Sequence, residues 1–266
     1  MLPHSNSIVP VLLWRPKAGH PVHVGSAVLL CIEGRSVLLT TAHVTDLRHE
    51  GKLCVPGPRG ATEFAGSIGA NLIPPGSLRD QDPIDIGYLV PSIDSRYALP
   101  SDYVPIEPES VDLAGHTNAG EFCLVAGFPL SRKWAKHRDG EITGARLSFV
   151  GIGFTDPAYV AHGYDFHKNI LVEYHLDKAI YPEGDRANAP SPRGMSGGGV
   201  FRVGRDTKGN PDTTNAVLVG IMHKFDERKH MFVATKIREA LKLFVRSPPD
   251  EIGRRVATSQ VTPSSS

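Results

Sequence analysis

The chain has 266 residues, 40% hydrophobic and 21% charged, an ordinary balance for a globular protein with a real core. Lys plus Arg number 29 and Asp plus Glu 28, so the formal net charge of +1 provides no long-range field to gather nucleic acid or an anionic membrane. No apolar run reaches the roughly 20 residues needed to span a bilayer, and the three cysteines, Cys31, Cys54 and Cys123, stand at neither metal-ligand nor redox spacing.

The N-terminal residues carry no basic segment. The apolar stretch Ile8–Trp14 is short and interrupted by Pro10, with no small-residue cleavage site behind it. No signal peptide is expected, and an odd number of thiols fits a reducing cytoplasm. Short runs rich in Val, Leu and Ile then follow: Val22–Ile32, Ser36–Val44, Lys52–Val55, Glu63–Ile73 and Ile84–Val90. Turn formers bound them, including Glu33-Gly34-Arg35, Pro56-Gly57-Pro58 and Pro74-Pro75-Gly76. Residues 91–119 are polar, with Pro91, Pro100, Pro105 and Pro108, and read as a surface connector. Six further strand-like runs lie at Phe122–Phe128, Ile142–Phe154, Ile170–Leu176, Gly199–Val203, Ala216–Phe225 and His230–Ile237. Beyond them Ile237, Ala240, Leu241, Phe244 and Val245 fall on one helical face, which ends before Ser247-Pro248-Pro249. The expected architecture is all-β: two antiparallel six-stranded barrels, at about 8–90 and 120–235, with a C-terminal helix over 236–246. Residues 247–266, polar and Pro- and Ser-rich, are expected to be a disordered tail.

Three segments carry chemistry together. They are Thr40-Thr41-Ala42-His43, Pro83-Ile84-Asp85-Ile86-Gly87 and Pro192-Arg193-Gly194-Met195-Ser196-Gly197-Gly198-Gly199. A serine hydroxyl is a weak nucleophile and needs a base within hydrogen-bond reach. His43 suits that role, because a histidine's ordinary pKa lies near working pH. A carboxylate must then hold the imidazole and stabilise the imidazolium, and Asp85 is preferred over the nearby Asp80 and Asp82 because it directly precedes an apolar strand. Glycines around Ser196 let the backbone turn so that the Gly194 and Ser196 amides can hold an oxyanion.

In the order His43, Asp85, Ser196, these motifs resemble the trypsin-like, chymotrypsin-fold serine peptidases. The runs Val125-Ala126-Gly127-Phe128-Pro129 and Leu218-Val219-Gly220-Ile221 also resemble that family, and the likeness spans roughly residues 8–246 as an order of motifs. It implies an endopeptidase that works through an acyl-enzyme, without cofactor or metal, on a protein or peptide substrate. Met195 stands where the animal digestive members carry Asp, and no Ile-Val-Gly-Gly activation site is present. The bacterial-type members without zymogen cleavage are therefore the nearer likeness. Pro190, six residues before Ser196, falls where the likeness puts the base of the specificity pocket, and its lack of charge does not support an Arg/Lys preference. His223 falls near the pocket wall, where a His reads acidic or Gln side chains in some relatives; a strand-end histidine is the plainer reading.

Other readings remain. A binding module on a protease fold could keep all three residues and be silent. With no zymogen switch in view, activity restrained by a protein partner or by restricted substrates is expected. Gly194-Met195-Ser196-Gly197-Gly198 also fits the nucleophile elbow of α/β-hydrolases, with His223, His230, Asp212 and Asp226 following it, but strand–helix alternation is missing before Ser196. Arg132–Arg138 is basic with one aromatic and reads as a solvated loop. His49-Glu50 opens like a zinc motif, but Leu53 stands where its second His would be. Neither a metal nor a nucleotide cofactor is expected, and neither nucleic acid nor membrane as partner.

Overall fold

A computed structural model of the chain describes residues 4–16, 19–57, 60–92, 99–114, 119–130, 135–136, 142–143, 145–174 and 191–246. The first half contains β1 (Ile8–Trp14), β2 (Val22–Ile32), β3 (Arg35–Thr40), α1 (Ala42–Asp46), β4 (Lys52–Gly57), β5 (Gly60–Glu63), β6 (Gly66–Ala70) and β7 (Gly87–Pro91). The second contains β8 (Phe122–Gly127), β9 (Ala135–Lys136), β10 (Ile142–Thr143), β11 (Leu147–Ile152), α2 (Asp156–His162), β12 (Asn169–Glu173), β13 (Gly199–Arg205), β14 (Pro211–Asp226), β15 (Met231–Lys236) and α3 (Ile237–Arg246). Two curled antiparallel sheets result, ordered β5-β4-β1-β2-β3-β7-β6 and β11-β8-β13-β14-β15-β12. The expected pair of β-barrels with a C-terminal helix is present, each as a half-barrel.

Strand alternation builds the layers. Successive side chains of a strand point to opposite faces, and here both faces are buried. Val9, Val11, Leu13, Ala27, Leu29 and Leu38 fill the first barrel. Their neighbours Ile8, Val28, Leu30, Val37 and Leu39 face the other way and meet Leu124, Ala126, Phe201, Leu218 and Ile221 of the second sheet. The second barrel has its own filling in Val125, Phe149, Ile170, Val200, Val219 and Phe232. One apolar layer thus fuses the two barrels, and Ile237 and Ala240 of α3 close it.

The connector joins both sheets. Ile106 bridges Leu30 of β2, and Val111 bridges Leu218 of β14.

Four expectations need correction. The first sheet has seven strands, because Glu63–Ile73 does not run as one. Gly66, at φ +153°, breaks it, and β5 and β6 go to opposite edges of the sheet. Ser36–Val44 also ends early. Thr41 is extended, and the chain then coils into α1, where Thr45 bonds back to Thr41 and Ala42. Ile142–Phe154 carries its long strand only from Leu147. Finally, α2 was not expected, although its signals stand in the sequence: Pro157 in the first turn and Gly163 at φ +77° beyond the end. The tail 247–266 and the side chains of Phe244 and Val245 lie outside the described residues. Among the described residues no helix is long and apolar enough to cross a membrane.

Candidate active site

The carboxylate of Asp85 sits at the centre of one half of the site. Asp85 is 4% exposed and adopts φ +34°, a region that non-glycine residues rarely use and that costs free energy to hold. Both its oxygens serve His43. Oδ1 accepts the His43 backbone N–H at 3.0 Å, and Oδ2 meets Nδ1 at 2.6 Å. The Asp85 carbonyl accepts the Ala42 amide at 3.3 Å. The first turn of α1 is therefore tied to Asp85 through main chain and ring together, which fixes the ring and leaves Nε2 on its far side.

A polar brace holds this arrangement from behind. Arg79 donates to Asp46 at 3.0 Å and to Asp82 at 2.9 Å, and it also bonds the Asn71 carbonyl at 3.1 Å. Asn71 accepts the Ile86 amide and donates to Asp82. Burial pushes the Asp82 carboxyl up, but hydrogen bonds from Asn71, the Ile84 and Asp85 amides and Arg79 outweigh it and hold it below its ordinary value.

The loop that carries Ser196 is built from backbone. Met195 is fully buried in the second barrel and anchors the loop by apolar packing. Gly197 has φ +88°, and a Cβ there would lie 1.8 Å from the Ser26 carbonyl, so no other residue fits. Gly194 has φ +91°, and a Cβ there would meet the Leu130 amide at 2.8 Å and His23 at 3.2 Å. The amides of Met195, Gly197 and Gly198 donate to Pro192, Met222 and Met195. The amides of Gly194 and Ser196 have no partner among the described residues. Leu130 N–H holds the Arg193 carbonyl at 2.7 Å. In a trans peptide the N–H opposes the carbonyl, so the Gly194 N–H points away from Leu130.

Ser26 joins the two halves, and nothing in the sequence singled it out. It is fully buried on β2. Its N–H donates to the Ser196 carbonyl at 2.7 Å, its carbonyl accepts Thr40 Oγ1 at 2.7 Å, and its Oγ accepts the Phe128 amide at 2.9 Å. It thereby touches Ser196, the strand that leads to His43, and the end of the Val125–Phe128 motif. The neighbouring Gly25 leaves room for Val44 and the Ser196 carbonyl. The only signal was the Gly25-Ser26 pair, two small residues inside an apolar strand.

His43, Asp85, Gly194 and Ser196 are thus gathered where the barrels meet. Ser196 Oγ makes no hydrogen bond among the described residues, and the contact of His43 Nε2 is Thr41 Oγ1 at 3.4 Å. With His43 and Asp85, His223 lines a cavity of about 880 Å³, together with residues 79–83, His162–Tyr164 and Lys224. Pro190 and most of Arg132–Arg138 lie outside the described residues. The α/β-hydrolase alternative is excluded, because the sheets are antiparallel and Ser196 leads into a strand, not a helix. All three cysteines are free, and among the described residues no group of His, Cys, Asp or Glu is set to hold a metal. No protein-family model matches the chain, and none of the characterised proteins compared with it is similar in sequence.

Proposed function

We propose that this chain is a serine endopeptidase of the trypsin-like, two-barrel kind, acting without cofactor or zymogen cleavage on protein or peptide substrates. The observation that carries this reading is the double grip of the buried Asp85 carboxylate on His43, through main chain and Nδ1 together. A carboxylate so placed is suited to orient a base and to steady its charge.

In the proposed reaction Ser196 Oγ attacks the scissile carbonyl, and His43 Nε2 takes the hydroxyl proton. The resulting imidazolium keeps its Nδ1–H on Asp85. The unengaged Gly194 and Ser196 amides receive the oxyanion, and each such donor typically stabilises the transition state by roughly 3 kcal/mol. His43 then gives its proton to the departing amine. An acyl-enzyme remains on Ser196, and water activated by His43 releases the acid. Nucleophile–base bonds of this type commonly close only on binding of substrate.

A cytoplasmic setting belongs to the same reading, supported by three free thiols. The direct assay is cleavage of an unfolded protein by the parent, Ser196→Ala and His43→Ala. Turnover is expected only in the parent, with all three folded. Equal cleavage by Ser196→Ala would overturn the assignment.

The Thr41 contact favours a second reading, a latent site. A hydroxyl against Nε2 competes with Ser196 for the base. If the site is latent for this reason, Thr41→Ala will cleave faster than the parent. A parent as fast as Thr41→Ala removes this reading.

A further inference from the structure

His223 is not used by the mechanism above, and its placement is unusual. It is 7% exposed, yet its Nε2 is buried without a hydrogen-bond partner among the described residues. Leaving a buried polar atom unpaired costs free energy, so an apolar side chain would serve packing better. His223 is also the extra residue of a β-bulge. In the β14–β15 ladder Met222 opposes Ala234 and Lys224 opposes Val233, so His223 has no opposite number. Bulges of this kind re-aim a side chain, commonly beside a site. Here His223 lines one cavity with Asp85 and His43, and both groups act on it electrostatically.

We infer that His223 is a positioning residue for the proposed triad: its neutral ring, set by the bulge against Asp85, keeps water and competing cations off the carboxylate and reserves it for His43. This rests on the reading of the site as a His–Asp–Ser centre. A dry neighbour strengthens the Asp85–His43 bond by lowering the local dielectric. A charged one would do the reverse, offering Asp85 a second partner and repelling the imidazolium that must form on His43.

The surroundings keep the ring neutral. Burial, against a smaller pull from Asp85, sets its pKa at about 4. The other charged groups that bear on it are Asp82 and Lys224, besides His43 itself. Across the cavity lie Arg79, Asp80, Asp226, Lys229, His162 and Tyr164. Arg79 is taken up by Asp46 and Asp82.

The test follows the His43 Nδ1 proton by NMR against pH, alongside the rate of fluorophosphonate labelling, in the parent, His223→Ala and His223→Phe. In the parent the downfield Nδ1 resonance should be lost as pH falls through about 4. In His223→Phe, whose ring never charges, it should persist to lower pH. In His223→Ala, where water reaches Asp85, labelling should fall about tenfold and the resonance should weaken, as expected for loss of a positioning contact. The inference is overturned if folded His223→Ala keeps both the parent rate and the parent resonance. Should His223→Ala not fold, it is overturned by a His223→Phe resonance that vanishes at the same pH as the parent's. A parent that takes no label sinks the peptidase reading alone, because the resonance still reports the Asp85–His43 pair.

Discussion

The two walls of the site are built by opposite means. On the first barrel a side chain does the holding: a buried carboxylate at φ +34° grips His43 twice and is braced by Arg79, Asp82 and Asn71. On the second barrel the backbone does it: glycines at φ +91° and +88°, a ladder of amide bonds and the buried Met195 shape a loop whose Gly194 and Ser196 amides have no partner among the described residues. On the proposed mechanism, charge is concentrated where the proton would be held, and N–H groups are left where negative charge would develop. A change of chemistry should therefore injure the first wall, and a change of shape the second.

The largest effect is expected at Asp85. Asp85→Asn keeps the size but offers Nδ1 no carboxylate, so fluorophosphonate labelling should fall by about 10³- to 10⁴-fold while thermal unfolding moves little. A loss of under tenfold would mean that the carboxylate serves structure alone. The second wall should fail through shape. Gly197→Ala drives a Cβ into the Ser26 carbonyl at a backbone angle alanine resists, and should cost roughly 3 kcal/mol or more of stability. Denaturant unfolding measures this directly.

Acid should loosen both walls, through two histidines. His23, packed against Gly194, is held at about 4 by burial, which outweighs its hydrogen bond to the Gly25 backbone; His223 beside Asp85 is held at about 4 in the same way. Both values lie below the ordinary 6.5, so between pH 6.5 and about 4 the unfolded chain binds protons that the folded chain refuses. This contribution is full above pH 6.5, is lost as pH falls from 6.5 to about 4, and levels off below, a loss on the order of 3 kcal/mol for each ring. His223→Phe should remove about half of that acid loss in a series of melting curves. The smallest effect is expected at the hinge between the walls. Ser26→Ala removes the hydroxyl that accepts the Phe128 amide and should cost about 1–3 kcal/mol, with labelling retained.

Much of this was written in the sequence. Short runs rich in Val, Leu and Ile between turn formers marked most of the strands, the helical face of Ile237–Leu241 marked α3, and three short motifs pointed to His43, Asp85 and Ser196 as candidates. What escaped depends on contacts distant along the chain. The turn of α1 is set by Asp85 reaching back to the Ala42 and His43 amides, which no local pattern in Ser36–Val44 records. Ser26 is one small residue inside an apolar strand, and its role appears only when Thr40, Phe128 and Ser196 arrive from elsewhere. His223 could be placed on a strand, but the bulge that turns it toward Asp85 is a property of the β14–β15 pairing.

Intact-mass spectrometry after fluorophosphonate treatment, on the folded parent and on Ser196→Ala, bears most directly on the proposed chemistry. One adduct on the parent and none on Ser196→Ala is the expected result, since it requires both an activated Ser196 and open Gly194 and Ser196 amides. A folded parent that takes no adduct, or a Ser196→Ala chain that takes the same one, would contradict it.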